Sequence, residues 1–170
     1  MSRKARNKMT KDTIPEGFSV SLALVDLVPV VFFGLSAVRV GELFASTLFT
    51  FGAVVCLAAG VVKVLWKLIA AVAQKNIWPM FVQMRILMPA GFALMIAALI
   101  AERAKLNGAA ILSGLTGFPA CVFFAFGALG MAFMMYCALR MDSSNPKTNW
   151  LEQAVNAAAQ ICFFVGFLLV

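Results

Sequence analysis

The chain contains no histidine. That single absence removes imidazole-based catalytic triads, histidine metal ligands, haem held by an axial histidine and histidine proton relays. Charge is scarce too. Only 12% of the 170 residues are Asp, Glu, Lys or Arg, and seven are acidic; soluble chains carry about 25% charged residues. There is no paired acidic motif such as DDxxD and no GxSxG nucleophile elbow. The four cysteines, Cys56, Cys121, Cys137 and Cys162, each sit alone in an apolar run with no CxxC. Such spacing supports neither a zinc site nor a disulfide framework, and they read as small apolar filler. No catalytic residue, metal or cofactor is expected.

What is present in excess is hydrocarbon. The composition is 63% hydrophobic, with a mean hydropathy of +0.96. A soluble core of this size cannot absorb that much apolar surface, so a bilayer is the natural solvent. The net charge of +7 does not point to nucleic acid. Arg3, Lys4, Arg6, Lys8 and Lys11 crowd the first residues, and most other basic side chains flank apolar runs, as orientation signals do. The predicted fold is therefore an all-α integral membrane protein: a basic cytoplasmic tail over 1–16, then a single transmembrane domain over 17–170. Five helices are expected in it, over about 18–38, 43–65, 80–101, 118–139 and 150–170.

The apolar run that begins at Leu43 continues to Ala73. As one helix it would reach about 46 Å, more than the ~30 Å hydrocarbon core. Its far end is predicted to emerge as an amphipathic extension carrying Lys63, Lys67 and Lys75, which puts Lys63 and Lys67 at the interface. Gly52, Cys56 and Gly60 recur every four residues and give this helix a face for close approach, here a candidate contact between copies. The run over 109–139 is also too long for one span. Gly114, Gly117 and Pro119 break it into a short interfacial piece and a fourth helix. With the N-terminus inside, the cytoplasmic ends hold the five basic residues of the tail with Lys63, Lys67, Lys75, Arg85, Arg140 and Lys147. The outer ends hold Arg39, Arg103 and Lys105. The positive-inside rule gives N-in, C-out.

The fifth span carries the most informative pattern. Asn149, Glu152, Gln153, Asn156 and Gln160 fall within an arc of roughly 100° on a helix, followed on the same arc by Phe163, Phe167 and Val170. An unpaired polar group in hydrocarbon costs several kcal/mol, so this stripe must face protein or a wet cavity. Asp26 interrupts the first span in the same way, about 12 Å beyond Phe18. Pro29 frees a backbone carbonyl close by. A charge at the centre of a span costs about 2.5–3.5 kcal/mol, which pairing with an opposite charge offsets. Asp26 with Arg85 is the first pair expected, with Asn156 and Gln160 supplying hydrogen bonds. Glu152 is expected to meet Lys63, Lys67 or Arg85, and Lys63 is a candidate counter-charge for the cluster. Each has a plain alternative: Arg85 snorkelling to headgroups, Glu152 favoured by the helix dipole, the amides acting as interhelical glue.

These residues suggest a small protein that binds or transports a small polar or charged solute or ion near the cytoplasmic half. Asp26, Arg85, Glu152, Asn156 and Gln160 form the site, and Phe163 and Phe167 form an outer gate. Expected partners are membrane lipid, the solute, and a second copy or another membrane protein. The cell membrane is the expected location, with the N-terminus cytoplasmic. A non-catalytic membrane subunit, assembly factor or lipid-binding module is the main alternative, and an intramembrane lipid or isoprenoid enzyme the second. No motif in the chain is specific enough to name a family.

Overall fold

The computed structural model describes residues 19–140 and 146–170. The basic tail over 1–16, the entry turn and part of the loop after Arg140 lie outside them. The described residues are helical throughout, with no strand among them. The elements are α1 (Val20–Leu43), α2 (Thr47–Ala73), α3 (Trp78–Val82), α4 (Met84–Ala101), α5 (Gly108–Thr116), α6 (Ala120–Arg140) and α7 (Pro146–Leu168). A single 3-10 turn at Arg103–Lys105 joins α4 to α5. Five helical stretches are long and apolar enough to cross a membrane, with α3 and α4 counting as one, Trp78–Ala101.

Local chemistry sets the ends. Ser19, Ser46 and Asn107 cap α1, α2 and α5, their side-chain oxygens accepting from the amides of Leu22 (3.1 Å), Phe49 (3.1 Å) and Ala110 (3.2 Å). Gln74 closes α2 in the left-handed region, at φ 51. Gly117 and Pro119 stop α5 and start α6, as the sequence suggests.

The helices neighbour one another in the order α4, α2, α1, α7, α6. That is a row, and among the described residues α4 makes no substantial packing with α6 or α7. Helix α2 is the most deeply buried member. Its Ala53, Cys56, Ala59, Trp66 and Ala70 are all within 1% of complete burial. Between apolar helices in lipid there is little hydrophobic drive, so close van der Waals fit must hold them. The α2–α4 contact shows how. A Cβ on Gly52 would lie 2.7 Å from the Gly91 carbonyl oxygen, and one on Gly91 would lie 2.5 Å from Cys56 Sγ. Only glycines allow the two backbones to meet there. On the same side of α2, Gly60 receives Val30 of α1. The Gly52–Cys56–Gly60 face is therefore used within the chain, against α4 and α1, and is not left for a second copy.

The second helix also corrects an expectation. It runs unbroken from Thr47 to Ala73, and Lys67 is buried among the helices at 6% exposure. Trp66 beside it is 1% exposed; its indole N–H donates to Asn76 Oδ1 at 3.0 Å and its ring lies 4.9 Å from that of Phe81.

Candidate functional site

Asp26 is on the buried side of α1, 3% exposed. From Val20 it lies about 9 Å along the helix. Lys67 lies about 9 Å back from Ala73 on the antiparallel α2. Equal depth from the same end brings them together: Lys67 Nζ is 2.6 Å from Asp26 Oδ2. Lys63, one turn further along α2, reaches the same oxygen at 3.8 Å, outside hydrogen-bond range. Asp26 is thus flanked by two ammonium groups, and its closest partner is Lys67, not Arg85.

Arg85 has a similar depth, about 10 Å beyond Trp78. It lacks the neighbour: α4 packs on α2, and α2 stands between it and α1. Its guanidinium lies over the Phe81 ring, 4.9 Å from the centroid, and the residue is exposed.

A cleft of about 190 Å³ opens beside Asp26. Its polar lining is Asp26 from α1, Lys63 from α2, and Asn156 and Gln160 from α7. Its apolar lining includes Pro29, Phe33, Met84, Met88 and Phe92. So α1 and α2 supply the floor, α4 and α7 the walls, and the side between α4 and α7 has no helix across it among the described residues. Phe33 and Phe92, with ring centroids 5.8 Å apart, stand at the end farthest from Asp26 along α1 and α4.

The other sequence-selected residues are placed elsewhere. Glu152 and Gln153 do not line the cleft. Each is half-buried, with one side-chain oxygen, Oε1, that accepts no hydrogen bond. Phe163 packs where Gly127 of α6 makes room, and Phe167 meets Phe124 of α6 edge-on at 5.0 Å. Both aromatics belong to the α6–α7 contact, and neither lines the cleft. The aromatic pair that does is Phe33 with Phe92.

Gln83 is a polar residue that sequence reading passed over. It sits at the joint between α3 and α4 and donates through Nε2 to the Ala59 carbonyl of α2 at 3.0 Å. An amide four residues after Pro79, soon after the turn at Gln74–Asn76, looks like loop chemistry, and only the α2–α4 contact reveals it as a cross-link.

A second hollow of about 740 Å³ lies at the opposite ends of the helices. It is formed by the end of α1 (Val40, Phe44), by α5, and by the end of α7 (Phe167, Val170), and its lining holds one charged side chain, Lys105. No known protein family, curated protein or solved structure matches this chain.

Proposed function

We propose that this chain binds a small polar or charged solute or ion in the cleft beside Asp26, and that it does so as a small transporter in the cell membrane, oriented N-in and C-out. The observation that carries the reading is convergence. An acid, an ammonium and two amides, drawn from three helices, surround one cleft in a chain that has few polar groups to spare. Charged groups within spans are costly to insert, and where they line a cavity they mark solute or ion paths. Asp26 and Lys63 are the charged pair at the floor, and Asn156 and Gln160 orient the solute. Arg85 of α4 and Glu152 of α7 act at its approach. Phe33 and Phe92 close the far end. A second copy or another membrane protein completes the open wall between α4 and α7.

A second reading has its own support. The closest contact of Asp26 is with Lys67, which is buried and does not line the cleft. Such a pair specifies which helices adjoin with no ligand at all, as in a structural subunit. Asn156→Leu and Gln160→Leu separate the two, since they remove cleft amides without touching the ion pair. Unfolding of the purified protein is followed across a panel of anionic, cationic, zwitterionic and neutral solutes. Solute-induced stabilisation in the wild type that both variants lose, at unchanged basal stability, supports binding. No stabilisation by any solute supports the structural role.

A further inference from the structure

The charges at the cleft are not evenly matched. Lys67 is the ammonium within hydrogen-bond distance of Asp26, at 2.6 Å, and it is not part of the cleft lining. Lys63 is the one that lines the cleft; it is 3.8 Å from an oxygen already held by Lys67, and 30% of its side chain is exposed. Two cations therefore share one carboxylate. The other charged groups nearby do not restore the balance within the lining. Arg85 of α4 lies over Phe81, and Glu152 of α7 is outside the lining.

The amides add donors to this excess. Gln160 Nε2 donates to Met131 Sδ at 3.6 Å, a weak acceptor that an oxyanion would outcompete. Asn156 lines the same wall one turn earlier. An ammonium with one distant partner, beside amide N–H donors and in reach of apolar surface, suits an oxyanion on an apolar stem.

We infer that the ligand is an anion, a carboxylate or a phosphate, and that Lys63 is its direct counter-charge. Asp26 with Lys67 forms the fixed pair behind it. Pro29, Met88 and the Phe33–Phe92 pair receive the apolar part of the ligand. This inference rests on the reading of the cleft as a binding site and adds the sign of the ligand's charge. The anion arrives either free in water or as the headgroup of a lipid through the open side between α4 and α7.

The test uses the full chain, as wild type, Lys63→Gln and Lys63→Arg. In detergent, unfolding is measured with sodium phosphate and sodium acetate against sodium chloride of equal ionic strength, and with choline and betaine as cationic and zwitterionic probes. In a second arm the protein is held in nanodiscs of phosphatidylcholine or phosphatidylglycerol. Stabilisation by phosphate or acetate identifies a free anion; stabilisation by phosphatidylglycerol alone identifies a headgroup. In either case Lys63→Gln is expected to raise the apparent Kd at least about tenfold, and Lys63→Arg to keep most of the response. Stabilisation by choline in place of the anions, or an anion response unchanged in Lys63→Gln, overturns the inference while leaving a binding site. The sign test on the wild type needs no variant to fold. Indifference to every probe in both arms overturns the inference and the binding reading together.

Discussion

Two hollows of this protein lie at opposite ends of its helices, and they differ in the opposite sense to their size. The larger, about 740 Å³, is walled by the ends of α1 and α7 and by α5, and its mostly apolar lining carries Lys105, Asn107 and Ser113. The smaller, about 190 Å³, gathers an acid, an ammonium and two amides. In lipid, an apolar hollow is what imperfect helix packing leaves behind, and acyl chains fill it at little cost. A polar cleft has to be built, because each of its groups resists insertion. Chemistry, and not volume, marks the candidate site.

The largest expected effect strikes the polar end. Asp26→Asn leaves Lys67 buried without its carboxylate and is expected to cost about 3–5 kcal/mol of unfolding free energy. Adding Lys67→Met to Asp26→Leu removes both charges and is expected to recover most of that loss. Equal stability of Asp26→Asn and wild type in denaturant titrations would erase the contrast between the two ends.

The apolar end predicts less. Phe167→Ala deletes the edge-on contact of this half-buried ring with Phe124. A loss of about 1–2 kcal/mol is expected, below the range for fully buried rings. Solute-induced stabilisation should be untouched. A lost solute response here would join the two hollows into one path.

Gln83→Leu sharpens the comparison at the joint that leads into α4, next to the lining residue Met84. It removes the amide bridge from the α3–α4 joint to the Ala59 carbonyl. Interhelical hydrogen bonds in membranes average about 0.6 kcal/mol, so a loss of that order is expected from thermal unfolding.

The smallest effect is a pH dependence near the apolar end. A hydrogen bond from Lys105 at 3.1 Å holds the Glu102 carboxyl below the usual carboxylate range, and the Ser46 hydroxyl acts in the same direction. A carboxyl lowered in the folded state contributes stability above its unfolded pKa of about 4.3 and loses it as pH falls through the lower folded value. The expected difference between wild type and Glu102→Gln is a slight one, present at neutral pH and vanishing in acid.

Much of the architecture was legible in the residues. Apolar run lengths located the spans, and Gly117 with Pro119 located the break before α6. The polar arc of α7 marked Asn156 and Gln160, which do line the cleft with Asp26 and Lys63. What could not be read was adjacency. Arg85 and Lys67 sit at similar depths, and their choice as partner for Asp26 depends on α2, not α4, lying beside α1. Helical periodicity gives a face and a depth, and it does not name the neighbouring helix. The same limit explains Phe163 and Phe167. They continue the polar arc in projection, but over the later turns α7 presents that side to Gly127 and Phe124 of α6. Lys67 looked interfacial because the run from Leu43 seemed too long to stay within the bilayer. The helix is indeed long, about 40 Å from Thr47 to Ala73, and Lys67 is buried because its face meets Asp26 of α1.

The central claim is that water and solute reach a cleft inside the helix row. The most direct measurement is the labelling of Met84→Cys, in the cleft lining, in proteoliposomes by a membrane-impermeant thiol reagent, scored above the wild-type background of four cysteines. The account predicts rapid labelling that slows when phosphate or phosphatidylglycerol occupies the cleft. Labelling only by a lipid-soluble reagent, at a rate indifferent to either anion, would contradict it.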